Sequence, residues 1–202
     1  MSNFRYTRPN DFPTVLKYLI IINVIVFIAQ QTLNITGYLV LFPITDPNFK
    51  IYQVITHMFA HGSVMHILFN MFALFTFGRI LENVWGPKRF LNFYLICGIG
   101  AAVFHLIVEY LQGTDSVALG ASGAIMGVAV AFAYTFPNTE LFILFLPIPI
   151  KAKWLIGAYV VYDVVFGITG GDNIAHFAHL GGALTGFILM LIWNKSDKKR
   201  FY

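Results

Sequence analysis

Ile174-Ala175-His176-Phe177-Ala178-His179-Leu180-Gly181-Gly182 sets two histidines, three residues apart, into a run otherwise suited to lipid. With the apolar residues that follow, the run reads as a helix of membrane-spanning length, ~20 residues. Imidazole is costly in hydrocarbon, so ionisable groups inside such a segment are functional candidates from the outset. The rest of the chain has the same character. Its 202 residues are 58% hydrophobic and only 11% charged, with 21 Phe and a mean hydropathy of +0.73. Soluble domains carry about a quarter charged residues, so the composition is that of a membrane protein and leaves no room for a second, soluble domain. A single domain over residues 1–202 is expected, with short tails at 1–14 and 195–202. The one cysteine, Cys97, excludes an internal disulfide framework. The net charge of +4 belongs to membrane topology and gives no reason to expect a nucleic-acid partner.

Apolar runs separated by polar breaks predict an all-α bundle of six spans, at 15–33, 64–83, 90–111, 120–136, 153–168 and 174–194. The first run, from Val15, continues through Ala29 into Gln30-Gln31-Thr32-Leu33 without a small-residue cleavage site, so it reads as an anchor rather than a signal peptide. The long segment from Asn34 to Ser63 is too broken to span, yet contains LVLFPI and VITHMFAH and is expected to dip into the membrane surface. Leu141 to Ile150 is apolar but interrupted by Pro147 and Pro149, and is expected to be a connection along the surface. The basic residues test this map. Six spans place Arg5, Arg8, Lys17, Arg79, Lys88, Arg89, Lys151, Lys153, Lys195, Lys198, Lys199 and Arg200 on one side and only Lys50 opposite, twelve of the 13 Lys and Arg. That is the positive-inside pattern with cytoplasmic termini, and the expected location is a bacterial cytoplasmic membrane.

The polar residues within the spans lie at one depth. Ser122 opens the fourth, His66 and Asn70 fall in the first two turns of the second, and His176 and His179 in the first two turns of the sixth. All three helices enter from the side opposite the basic residues. A serine becomes a nucleophile when a base takes its proton, and the attacked carbonyl needs donors aimed at its developing oxyanion. Gly120-Ala121-Ser122-Gly123 puts Ser122 at a helix start, where free backbone N–H groups and the positive dipole end face such an oxygen. His66 and Asn70, four residues apart, share a helical face and supply side-chain donors. On its own GASG reads as a close-packing motif; the histidines at matching depth reverse that reading. Between the two histidines, the helical angle decides. Gly182 and Gly186 centre a small face that lies about 40° from His179 and about 100° from His176. The fourth span is also small-rich, so His179 is the expected base and His176 points aside as a polar neighbour at a water-filled opening. Gly181, on the other face, argues against this.

Taken together, GASG at Ser122, AHLGG with Gly186 at His179, and HILFN from His66 to Asn70 resemble the rhomboid family of intramembrane serine proteases. THMFAH, with His57 and His61, is similar to that family's first loop, and Glu82 with Trp85-Gly86 to its turn after the second helix; the resemblance runs from about residue 12 to 195 in the right order. It implies a Ser122–His179 dyad and an oxyanion hole of His66, Asn70 and the Ser122 N–H. It also implies cleavage of single-pass membrane proteins near the outer membrane boundary, with no metal or cofactor. Two departures stand out: Tyr52-Gln53 where the family often has Trp-Arg, and Met126 where many members place an aromatic ring against the catalytic imidazole.

Other residues have simpler readings. Asp163, inside the fifth span, is expected to be a structural acid bonded to a loop or helix end, the alternative being a third triad member. His57 and His61 are expected to hold the first loop by hydrogen bonds, metal binding with His66 being the alternative. Asp172 reads as the N-cap of the sixth span, and Trp85, Trp154 and Trp193 as inner-interface residues. The competing functions are a catalytically inactive relative that binds membrane clients and a histidine-ligated haem protein. The sequence leaves the oligomeric state open.

Overall fold

A computed structural model describes residues 12–143, 146–170 and 174–198. In chain order the elements are α1 (Thr14–Leu33), α2 (Thr36–Leu39), α3 (Gln53–Thr56), α4 (Val64–Trp85), α5 (Pro87–Gln112), α6 (Ser122–Thr135), β1 (Glu140–Ile143), β2 (Leu146–Lys151), α7 (Ala152–Thr169) and α8 (His176–Lys198). The six expected spans are α1, α4, α5, α6, α7 and α8. Five are long and apolar enough to cross a membrane. The sixth, α6, has 14 residues, about 21 Å at 1.5 Å per residue against ~30 Å of hydrocarbon. It packs against α4, α5, α7 and α8, so the short helix is shielded by its neighbours, with an unbroken buried run from Gly123 to Ala129. Its length explains the depth of Ser122: a helix that starts late begins inside the bundle.

The chain must reach that depth without helical hydrogen bonds, and irregular backbone there is tolerated only when protein satisfies it. Ala118 exchanges backbone hydrogen bonds with Leu41, at 2.9 and 3.0 Å, and the Gly120 N–H donates to the His57 carbonyl at 2.9 Å. The first loop therefore carries the descending strand. Gly120 has φ +121°, and a Cβ there would sit 2.8 Å from His66 Nε2, so the opening glycine of GASG is required by both backbone and space.

Glycines set the helix spacing. A Cβ on Gly182 would overlap the Gly123 carbonyl, and one on Gly186 would lie 2.7 Å from the Gly127 oxygen. Gly181 faces α5, where its Cβ would meet the Ala101 Cα at 3.1 Å. The residue that argued against the glycine-face reading thus serves a second interface: α8 presents one small face to α6 and another to α5.

At the basic end Glu82 closes the turn between spans. Its carboxylate accepts from the Val15 N–H at 2.9 Å and the Leu16 N–H at 2.7 Å, capping α1, whose own N-cap residue, Pro13, makes no side-chain cap. Trp85, Phe93 and Trp193 cluster there, with the Arg89 guanidinium 4.2 Å from the Trp193 ring centroid. Trp154 stands 67% exposed.

Two segments take a more definite form. The connection at Leu141 to Ile150 is an antiparallel hairpin pairing Glu140 with Lys151, Leu141 with Ile150 and Phe142 with Pro149; both strands are edges, where proline is tolerated. Helix α8 continues to Lys198, into the segment expected as a tail. The N-cap role expected of Asp172 lies outside the described residues, as do the charges at Arg5, Arg8, Lys199 and Arg200.

Candidate active site

Ser122 is the first residue of α6, His179 lies one turn into α8, and the close approach of those helices brings their side chains together. Ser122 Oγ is 2.8 Å from His179 Nε2. Across the ring, His179 Nδ1 is 3.0 Å from Asp163 Oδ1, and the same oxygen is 2.7 Å from His176 Nδ1. Ser122, His179, Asp163 and His176 thus form one hydrogen-bonded chain across three helices. Asp163 is wholly buried, and His176 and His179 are 4% and 5% exposed.

His66 and Asn70 stand on the facing side, on α4, and line the same cavity as Ser122 and His179. Ser63 caps α4 by accepting from the His66 N–H at 3.1 Å, which fixes the turn that carries His66. The His66 ring packs edge-on against His61, centroids 5.1 Å apart. Asn70 is held by its amide, which donates to the His66 carbonyl at 2.9 Å. The cavity, about 1030 Å³, runs between α4 and α7 from His66, Ser122 and His179 at one end to Phe77, Glu140 and Phe142 at the other. Its walls are largely aromatic and aliphatic.

The choice between the two histidines agrees with the glycine face, since His179 reaches Ser122. His176 does not face a water-filled opening. It is buried against the rings of Tyr162, at 5.7 Å, and Phe166, at 6.1 Å, and bonded to Asp163. Asp163 meets a helix end through His176, the first residue of α8, and its other hydrogen-bond partner among the described residues is His179. The aromatic ring missing at Met126 comes from α7, where Tyr159 lies 6.0 Å from the His179 ring; Met126 is buried and lines the cavity. Reading α7 as a helical face would have found this group, since Tyr159, Tyr162, Asp163 and Phe166 recur at spacings of three and four.

The first loop is held by Gln53 in place of the arginine that the resemblance led one to look for. Its Oε1 accepts from the Lys50 N–H at 3.1 Å and the Phe42 N–H at 3.4 Å, while Nε2 donates to the Asn48 carbonyl at 3.0 Å. His57 does hold this loop through its ring, with Nδ1 bonding the Gln53 carbonyl at 2.9 Å. His61 holds it through its backbone, its N–H donating to Gln30 Oε1 at 3.0 Å, and neither ring nitrogen has a partner among the described residues. Burial pushes both imidazoles down to about 4, for His57 against the opposing Gln53 hydrogen bond and for His61 with help from neighbouring His66.

Among the described residues, the set spaced to hold a metal ion is Asp163, His176 and His179, with ligand atoms within 4.8 Å of one another; His57, His61 and His66 do not form one. Both nitrogens of His179 are engaged, by Ser122 and Asp163, which argues against haem ligation by that ring.

A short buried helix opened by serine, a histidine from a glycine-packed partner helix and a lateral apolar cleft define a multi-pass membrane protein with a hydrolase-like serine–histidine centre. The chain belongs to the rhomboid family: residues 48–196 match the Rhomboid domain. RHOMBOID-like protein 12, mitochondrial, of Arabidopsis thaliana is 31% identical, with 91% of this chain and 58% of that protein covered. The human presenilin-associated rhomboid-like protein, mitochondrial, is 30% identical over 87% of this chain and 48% of its own length. Rhomboid protein 1, mitochondrial, of Saccharomyces cerevisiae is 29% identical, over 73% and 43%. The chain spans about half the length of the curated relatives it matches. Their names place them in mitochondria, which conflicts with the bacterial membrane expected from the sequence.

Proposed function

We propose that the protein is an intramembrane serine endopeptidase that cleaves single-pass transmembrane proteins near the membrane boundary. Ser122 Oγ attacks the substrate carbonyl as its proton passes to His179 Nε2. The same imidazolium then gives that proton to the leaving amine. Water repeats the sequence on the acyl-enzyme, with His179 again the base. The oxyanion is received by the Ser122 N–H at the start of α6, where backbone donors lack intrahelical acceptors, and by the side chains of His66 and Asn70 across the cavity.

The observation that carries this reading is the 2.8 Å contact between Ser122 Oγ and His179 Nε2, made from residues 57 positions apart at the head of an apolar cleft. A packing serine needs no imidazole in hydrogen-bond range, and an inactive client-binding relative needs neither the contact nor the donors facing it. The cleft between α4 and α7 suits an apolar helix whose end unwinds beside Ser122, since a helical backbone otherwise shields its carbonyls. Cytoplasmic termini follow from the one-sided Lys and Arg.

The test is cleavage of a panel of single-span substrates in liposomes by wild type, Ser122→Ala and His179→Ala. Both substitutions are expected to abolish product. Cleavage surviving either would remove the mechanism, and a wild type that binds but never cuts the panel would favour the client-binding alternative.

A further inference from the structure

We propose that Asp163 is a positioning residue for the reaction, fixing the tautomer of His179 and stabilising its cation, and that His176 anchors Asp163 in that task. The proposal rests on the Ser122–His179 reading above and assigns roles to two residues outside it.

The argument starts from one oxygen. Asp163 Oδ1 lies within hydrogen-bond distance of Nδ1 of both histidines, 2.7 Å from His176 and 3.0 Å from His179. An ionised carboxylate only accepts, so each ring presents its Nδ1–H to that oxygen. His179 is thereby held with a lone pair on Nε2, facing the Ser122 hydroxyl 2.8 Å away. The opposite tautomer would donate from Nε2 to Ser122 and could take no proton from it. A lone imidazole has no reason to prefer the productive form; one bonded to Asp163 does.

The same contact matters during the reaction. When the Ser122 proton reaches Nε2, a cation forms on a ring that is 5% exposed, with Asp163 the one acid hydrogen-bonded to it among the described residues. An uncompensated buried charge is strongly disfavoured, and a carboxylate 3.0 Å away supplies the compensation. Asp163 suits that role better than a structural one. Its Oδ2 is buried with no hydrogen-bond partner among the described residues, so the carboxylate is under-satisfied and directed wholly at the two rings.

His176 explains why the sequence carries two histidines. Three residues before His179, it sits one turn away on the same helix and grips the same oxygen from the other side. Its ring is clamped edge-on by Tyr162. With His176 in place the carboxylate cannot swing from His179 without breaking a second, shorter bond.

The experiment combines steady-state cleavage with nitrogen-15 NMR of histidine-labelled protein in nanodiscs. Asp163→Asn keeps the shape but removes the charge and offers an N–H that favours the wrong tautomer. It is expected to lower kcat about 100-fold or more, by analogy with the loss of a triad aspartate, with KM within about 3-fold. In wild type, His179 should show a protonated Nδ1 and an unprotonated Nε2; in Asp163→Asn that signature should weaken or invert. His176→Phe keeps the aromatic packing and removes one hydrogen bond to a charged group, for which about 10-fold in kcat is expected. Should Asp163→Asn fail to fold, His176→Phe and the wild-type spectrum still decide. The proposal is overturned if Asp163→Asn or His176→Phe turns over within about 3-fold of wild type, or if wild-type His179 carries its proton on Nε2. Ser122→Ala separates the two levels: if it still cleaves, the underlying reading falls, whereas a dead Ser122→Ala beside a fast Asp163→Asn removes only the role of Asp163.

Discussion

Glu82 and Asp163 are both buried acids in apolar helices, 3% and 0% exposed, and their hydrogen bonds go to different kinds of partner. Glu82 receives one backbone N–H on each oxygen, both from the first turn of α1. It is fully satisfied by groups that do not titrate, and it fixes where one helix begins against another. Asp163 gathers two imidazoles on one oxygen and leaves the other without a partner. Glu109 resembles Asp163 in loading one oxygen, Oε2, but its donors are the Thr114 hydroxyl at 2.8 Å and the Ser116 N–H at 2.9 Å, so its hydrogen bonds fold the loop after α5 as those of Glu82 fix α1. Burial alone therefore does not mark a functional acid in a membrane bundle. What distinguishes Asp163 is that its partners are ionisable and lead, through one ring, to a side chain in an open cleft.

The largest effect expected from this contrast is on turnover. His179→Ala should reduce kcat by about 10³-fold or more, as removal of a catalytic base does, measured by product formation against a single-span substrate. Glu82→Ala should act in the other sense. It leaves two N–H groups of α1 unpaired, for a loss of about 2–3 kcal/mol, seen as a lower thermal midpoint while kcat of the folded enzyme stays within about 2-fold. A Glu82 variant that melted normally but lost turnover would break the comparison. Gly182→Ala tests the spacing on which the site depends. Its methyl meets the Gly123 carbonyl, so overpacking of about 1–3 kcal/mol should lower the midpoint, and parting α6 from α8 should reduce kcat with it. The smallest effect concerns pH. His57 and His61 are held near 4 by burial, against 6.5 when free. The unfolded chain therefore binds protons that the folded chain refuses, and stability should fall as pH drops through 6.5 towards about 4, levelling below that. Melting curves across this range should be shallower for His57→Gln than for wild type.

The spans were legible because hydropathy fixes their centres and the one-sided Lys and Arg fix their parity. The choice of His179 was legible because Gly182 and Gly186 mark the side of α8 that faces another helix, whatever that helix is. The place of Tyr159 and the choice between the two readings of Asp163 were not, for a physical reason. Helix α7 is apolar almost all round, so the face shared by Tyr159, Tyr162, Asp163 and Phe166 stands out only once Asp163 is taken as turned inward, and the imidazoles that meet Asp163 come from a different helix. The hairpin at β1 and β2 was hidden by Pro147 and Pro149, which forbid a central strand but not an edge. The start of α6 was legible in GASG, which puts Ser122 at a helix opening; the cause was hidden, because the φ of +121° at Gly120 goes with contacts to His66 and the first loop that lie far off in the sequence.

The central claim is that Ser122 is a nucleophile activated by His179, and covalent labelling tests it most directly. The protein in liposomes is treated with a fluorophosphonate probe and the adduct located by peptide mass spectrometry. The account predicts one probe on Ser122, formed at least 10² times more slowly in His179→Ala on the order of magnitude expected for loss of the base, and absent in Ser122→Ala. A protein that cleaves substrate while Ser122 stays unlabelled, or that labels equally fast without His179, would contradict it.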